Sequence, residues 1–506
     1  MLLLVMALGL SGCGSEQPLP ATPTPVAATP SATAALSLQP PTATVPAPTS
    51  TITPSPEPTF TPSPTLTPTP TPWPQATFVP DQYVVDWGDT LQAIAGNYGI
   101  TLEQLLEMNG MDGDRPLQVG QVLAVPSAIS VNLPQAYLIH DSEVVYSHAY
   151  QNWDTRRFVE QQGGYLAQYR EGELTGAEII DQVAFKYHVG PRALLAVMEL
   201  ASGWVTNPAP SSLYPFGLRD PGRATLTLQA KWAAVRMMEG YYGQLEGRRD
   251  WVFLSNGVPA RLYPGTNPGT AGIASVLALI SEPLGVLDVM QSNAFQNTYL
   301  RLFGTVAGGA VLPPDGEQPY FGLPWREGEI WYFTGGPHGG WGDRESGWAA
   351  LDFAPPLKRG CAPSRWPTLA VAPGMVIQYT PGETWVDMDG DGNIHTGWVV
   401  FYMHLSSTGH APLGTFVEAG DPIGFASCEG GISTGAHLHL ARMYNGQWMP
   451  AYRPVPFQLG EWTARGFTTE SYDGYLRNED GRVLEACDCR SRRKNQFPEV
   501  WHPGMR

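Results

Sequence analysis

The sequence predicts a multidomain chain: a small βααβ module, a mostly α-helical middle domain and an antiparallel all-β domain, preceded by a stretch with no regular structure. Three observations predict it. A chain of 506 residues is too long for one hydrophobic core. Much of its proline, 49 residues in all, falls before residue 81. After that point the apolar spacing is first mixed, then helical, then that of short strands broken by Gly, Pro and Asp clusters.

The disordered part comes first. Residues 1–10 form an apolar run too short to span a bilayer. Small residues and a cysteine follow, in the manner of an export signal. Leu10-Ser11-Gly12-Cys13 resembles the lipobox of bacterial lipoproteins, which implies a lipid on Cys13 and an exported, membrane-anchored protein. No Lys or Arg precedes the run, which leaves the start of translation open. Residues 14–80 are rich in Pro, Thr, Ala and Ser and cannot bury enough apolar surface to offset chain entropy. As an extended tether they would reach roughly 200 Å at about 3.1 Å per residue.

The module at 82–127 pairs a strand around Tyr83-Val84-Val85 with a second strand that closes it within Val119-Gly120-Gln121-Val122-Leu123-Ala124-Val125-Pro126. Between them, Leu91, Ile94 and Ala95 repeat at helical spacing, and a second helix runs over 102–108 to Asn109-Gly110. The pattern resembles a LysM module, which implies binding to N-acetylglucosamine-containing glycans such as peptidoglycan.

Apolar-periodic runs at 176–180, 190–200, 228–239, 272–280 and 294–303 predict the helical domain over 130–305. Tyr187-His188-Val189-Gly190-Pro191 and the run after it faintly resemble lysozyme-like transglycosylases. Those enzymes place their acid directly before a Ser-Gly or Ser-Ser pair. Here Ala201 precedes Ser202-Gly203, and Glu199 is two positions early, roughly 200° around a helix. The segment reads either as a degenerate lysozyme-like domain or as a plain structural one.

Six of the ten histidines fall between 338 and 439. In Gly435-Ala436-His437-Leu438-His439-Leu440 the two imidazoles lie two apart, so on a strand they share a face. Asp352 sits in an apolar Ala350-Leu351-Asp352-Phe353-Ala354 run, and His338 follows Gly335-Gly336-Pro337, read as a turn. A catalytic zinc takes three His, Asp or Glu ligands and leaves a position open. His404 lies at the end of the apolar strand that runs through Trp398-Val399-Val400-Phe401-Tyr402, while His395 and His410 read as solvated loop residues. The 318–465 region resembles the lysostaphin and β-lytic zinc endopeptidases, through His338, Asp352, Tyr402-Met403-His404-Leu405 and His437-Leu438-His439. The resemblance implies an antiparallel β-sheet fold with Zn(2+) held by His338, Asp352 and His439. It assigns proton transfer or transition-state stabilisation to His437 and His404, and peptidoglycan cross-links as the substrate. Most of that family spaces the first ligands as H-x3-D. Trp348 stands four residues before Asp352, so the longer interval follows the β-lytic branch.

Asp387, Asp389 and Asp391 match the first half of a calcium loop, but Trp398 replaces the glutamate at its twelfth position, and a Gly/Asp-rich hairpin turn fits equally. Cys361 and Cys428 form either a disulfide or two buried thiols. Residues 466–506 are read as a C-terminal extension. The net charge of -17 argues against nucleic acid as a partner and against a polybasic membrane patch. The expected function is an anchored zinc endopeptidase acting on peptidoglycan. The alternatives are an inactive wall-binding regulator of other hydrolases, or a transglycosylase acting through the middle domain.

Overall fold

The computed structural model describes residues 81–498 apart from 86–88, 98–100, 113–116, 119, 126–131, 256, 283–284, 306–307, 343–345, 357–359 and 467–469. Cys13, the signal and the 14–80 tether lie outside the described residues.

The first module pairs the strands Asp81–Val84 and Val122–Val125 antiparallel around two short helices, Leu91–Asn97 and Leu102–Asn109. The sequence sets the ends of the second helix. Thr101 and Gln104 form a reciprocal capping box, and Gly110 takes the left-handed conformation that closes it. Asn109 then ties helix to sheet. Its amide donates to the Leu105 and Ala124 carbonyls at 2.8 and 2.7 Å and accepts from the Ala124 N–H at 2.6 Å. Ile94, Ala95, Leu105, Leu123 and Val125 form the small core.

The helical part centres on Gly176–Lys186, Pro191–Ser202, Leu226–Leu245, Pro268–Ile280 and Ala294–Phe303. Two short strand pairs, Arg170–Glu171 with Leu174–Thr175 and Trp251–Phe253 with Pro259–Arg261, interrupt it. Glu199 is buried and fully engaged: it pairs with Arg301 at 2.9 Å and accepts from the Thr206 hydroxyl and N–H at 2.6 and 3.1 Å. A carboxylate so occupied is a structural anchor.

The β part is built on an eight-stranded antiparallel sheet. From one edge its strands are Phe416–Val417, Gly374–Ile377, Glu383–Asp387, Trp398–Met403, Leu438–Tyr444, Ala350–Ala354 and Tyr332–His338, with Gln447–Trp448 pairing beside Leu438–Tyr444. Register decides which residues share a face, because directly opposed residues in a ladder project to the same side. Asp352 opposes His439, His439 opposes Met403, and Met403 opposes Glu383. Phe401 opposes both Ala441 and Trp385 two residues along, and so lies on that face as well. The other face carries Leu351, Phe353, Val386, Val400, Tyr402, Leu438 and Leu440 into a separate core.

Two expectations are corrected here. The boundary drawn at 465 cuts through the strand Trp462–Gly466 of a four-stranded sheet that continues with Gly474–Arg477 and Val483–Glu485. Residues 466–506 are therefore no appendage where described. Phe497 is buried beside Trp325 and Phe353, and Asn495 donates to the Phe333 carbonyl at 3.0 Å. The helical and β parts are likewise not separate bodies. Trp385, Phe401, Ala441, Met443 and Trp448 share one continuous apolar core with the helices. The Tyr242 hydroxyl accepts from the Trp448 N–H at 3.0 Å. The helices thus sit on the same face of the sheet as Asp352 and His439.

Candidate metal centre

Three neighbouring strands deliver the first side chains. His338 ends Tyr332–His338, Asp352 is central in Ala350–Ala354, and His439 lies near the start of Leu438–Tyr444. All three are buried. Gly335-Gly336-Pro337 does not form the expected turn. It lies within the strand, where the register to Ala350–Ala354 shifts on both sides of Gly335. The strands approach closely there, and only a glycine fits: a Cβ on Gly335 would sit 2.7 Å from Asp352 Oδ2. The slipped register brings His338 opposite Ala350 and turns its ring back toward Asp352.

The three polar atoms nearly touch. His338 Nε2 is 3.0 Å from His439 Nδ1, and Asp352 Oδ1 lies 3.3 and 3.2 Å from these nitrogens. The outward nitrogens fix the tautomers. His338 Nδ1 lies 2.7 Å from the Gly336 carbonyl and His439 Nε2 lies 2.9 Å from the Gly340 carbonyl. A carbonyl only accepts, so in the neutral rings those nitrogens carry the hydrogens and the inward ones present lone pairs. Burial by itself raises the Asp352 carboxyl, but the adjacent His338 and His437 outweigh it and hold it well below the usual carboxylate range. Burial pushes His439 down, toward the neutral ring. Two imidazole lone pairs and a carboxylate therefore converge, and Asp352 Oδ1 has no aligned hydrogen-bond donor among the described residues. Such a donor set fits a cation of the zinc type.

His437 and His404 flank the group. His437 Nε2 is 3.7 Å from Asp352 Oδ2, and its Nδ1 lies 2.8 Å from the Gly435 carbonyl. The His404 ring is 4.4 Å from that of His437, and its Nδ1 lies 2.8 Å from the Glu429 carbonyl. His404 adopts φ 64°, a left-handed conformation costing a branched or bulky residue on the order of 1 kcal/mol. The Ser427 N–H and hydroxyl, donating to the His404 carbonyl at 2.6 and 3.1 Å, secure that bend. Burial, with His437 and His439 nearby, lowers His404 to about 4, so it is neutral around pH 7.

The remaining sites fall as follows. Cys361 and Cys428 are joined, and Cys487 is joined to Cys489. Asp387, Asp389 and Asp391 cluster at the turn after Glu383–Asp387. His395, expected in solvent, is buried and stacks on Tyr146 of the helical part at 4.3 Å. Its polar-looking neighbours hid a domain contact. Sequence reasoning also missed Tyr472, whose ring stacks on His338 at 4.1 Å. Nothing local to residue 472 signals that contact, because the 458–485 sheet carries it there.

Residues 83–126 match the model of the LysM domain, and residues 137–313 match the model of the LasA N-terminal domain. Over 346 residues the chain is 27% identical to protease LasA of Pseudomonas aeruginosa, covering 62% of this chain and 76% of the relative. The chain thus joins a LysM-type module to a region similar to protease LasA. A 68-residue stretch is 37% identical to N-acetylmuramoyl-L-alanine amidase XlyA of Bacillus subtilis, covering 13% of this chain and 23% of that protein. Among solved structures, the M23 metalloprotease pseudoalterin superposes with a TM-score of 0.27 at 22% identity, over 33% of this chain and 96% of that one. The lysostaphin catalytic domain of Staphylococcus simulans gives a TM-score of 0.17 at 23% identity, over 25% and 89%. Among the described residues no helix is long and apolar enough to cross a membrane.

Proposed function

We propose that this chain is an exported zinc endopeptidase that hydrolyses the peptide cross-links of bacterial peptidoglycan. In this reading Cys13 carries a lipid anchor, the 14–80 segment is a tether and the LysM module holds the glycan. The observation that carries the reading is the convergence of His338 Nε2, Asp352 Oδ1 and His439 Nδ1, each with its lone pairs inward. The similarity to protease LasA supports peptide cleavage, and the LysM match supports a wall glycan as the anchor point.

His338, Asp352 and His439 would hold the zinc, and the Gly336 and Gly340 carbonyls would orient the two imidazoles, as second-sphere acceptors do. Zinc at that point would supply Lewis acidity toward a carbonyl and make water a better nucleophile near pH 7. The other steps belong to side chains. The Gly435 and Glu429 carbonyls engage Nδ1 of His437 and His404, which leaves Nε2 of each neutral ring as the basic nitrogen. One ring takes the water proton and a proton is then returned to the leaving amine, while an imidazolium beside the carbonyl stabilises the developing oxyanion. Asp352 Oδ2 lies 3.7 Å from His437 Nε2, which places that ring beside the group. The helical part contributes support: Glu246 Oε1 accepts from the Trp348 N–H at 2.7 Å, steadying the loop that presents Gly340.

The test is zinc content and release of free amino groups from peptidoglycan, for the wild type beside His338→Ala and His439→Ala. One zinc per chain with amine release, both lost in the variants, is the expected result. A wild type with neither zinc nor release overturns the reading and leaves a tethered wall-binding protein. New muramic ends without amines would point instead to sugar-strand cleavage.

A further inference from the structure

A second group of acids lies on the face of the sheet that carries Asp352 and His439, at the end of a different strand. Asp387 closes Glu383–Asp387, four residues from Glu383, and its side chain is fully buried. Its Oδ2 accepts from the Gly392 N–H at 2.8 Å. Its Oδ1, equally buried, has no hydrogen-bond donor among the described residues. A buried carboxylate oxygen left without a partner is costly, so the position calls for a proton or a cation. Asp389 and Asp391 bring the second and third carboxylates, and one oxygen from each of the three lies within 4.8 Å of the others. Asp391 Oδ2 is steadied by the Thr396 hydroxyl at 2.9 Å. Three carboxylates this close repel one another unless a proton or a cation stands between them.

The turn that bears these acids also makes a domain contact. Ile394 lies in the core shared by sheet and helices, and His395 stacks on Tyr146. Whatever fixes the turn therefore fixes part of the seam between the helical and β parts.

We propose that Asp387, Asp389 and Asp391 bind one calcium ion, and that this ion clamps the 388–397 turn against the helical part. The donor set is all oxygen, which suits a hard cation and not the imidazole-preferring metal of the first site. Two of the three acids are exposed, on a turn able to adjust, which favours calcium over the smaller magnesium with its strict octahedral demand. Trp398 stands where a full loop would supply a bidentate glutamate, so the affinity falls in the weak class of extracellular modules, about 10⁻⁴–10⁻³ M.

The test is calorimetric titration of the zinc-loaded full chain, freed of calcium, with calcium chloride and separately with magnesium chloride. One calcium per chain in that range is expected, with a raised melting midpoint and slower amide exchange over 388–397. Asp389→Asn and Asp391→Asn, both at exposed positions, should weaken calcium at least about ten-fold while leaving zinc content and amine release without added calcium unchanged. The proposal is overturned by an absence of heat and of any melting shift up to about 10 mM calcium, ten times the weaker expected constant. Binding untouched by both variants also overturns it, and magnesium binding as tightly as calcium refutes the choice of ion. Zinc content and amine release on the same samples keep this outcome separate from that of the peptidase reading.

Discussion

Gly335 carries more of the metal centre than its lack of a side chain suggests. Any Cβ there would press on Asp352 Oδ2 at 2.7 Å and on the Asp352 Cβ at 3.0 Å. The small residue lets two strands close until His338 and Asp352 share a point. Gly335→Ala should therefore lower zinc affinity roughly 10–100-fold, the range typical of displacing groups that support a ligand. The chain should still fold, because the strand's apolar contacts lie on the other face, where Phe333 packs on Phe353. Competition against a zinc-selective dye checks it, and an unchanged affinity would show that the close approach is not what sets Asp352.

Loops, more than strands, shape the surroundings of the centre. Cys361 and Cys428 close a span of 67 residues. The Gly360 carbonyl beside Cys361 accepts from the Ala436 N–H at 2.7 Å, one residue before His437. The bridge thus joins two loops that border the His437 ring. Replacing both cysteines by alanine removes a cross-link worth about 4 kcal/mol in chain-entropy terms for a loop of this size. Denaturant unfolding of the double variant should show a loss of that order, with amine release reduced because His437 is less well held. A variant as stable as the wild type would mean that the loop contacts alone suffice. At this level much was legible beforehand. Strand and helix positions followed from apolar spacing, since a two-residue period and a 3.6-residue period leave different marks on sequence. The left-handed bend at His404 left no such mark, because the partner that secures it, Ser427, lies 23 residues along the chain.

Across the whole molecule, the seam between helices and sheet is buried and contains imidazoles. His188 is buried beside Trp448 and Trp385, and His395 beside Tyr146 and Phe185. His188 Nδ1 and His395 Nε2 have no hydrogen-bond partner among the described residues. Burial lowers His188 to about 3 and also holds His395 well down. Both are neutral when folded but protonate near pH 6.5 when unfolded. The unfolded chain then binds more protons, so stability present above about pH 6.5 is lost as pH falls toward the folded values. Each imidazole should cost about 2 kcal/mol between pH 6.5 and pH 5. Asp181 and Asp387, lifted to about 6 by burial, act in the opposite sense, so the slope must be compared among variants. Melting midpoints across this range should fall less steeply for His188→Leu than for the wild type. An identical slope would show that His188 is already protonated in the fold.

The sequence by itself determined the order of parts, the βααβ module, the placing of His437 and His439 two residues apart, and the candidate set His338, Asp352, His439, His437 and His404. The first of these follow from residue spacing and local chemistry, which act over a few residues; the roles within the candidate set come from the resemblance to the lysostaphin and β-lytic endopeptidases. Only the tertiary structure decided the register slip at Gly335, the contact of Tyr472 with His338, the burial of His395, and the merging of the 466–498 strands and the helices with the β part. Each of these joins segments tens or hundreds of residues apart. Their partners are chosen by which apolar faces must leave water together, and no short stretch of sequence records that choice.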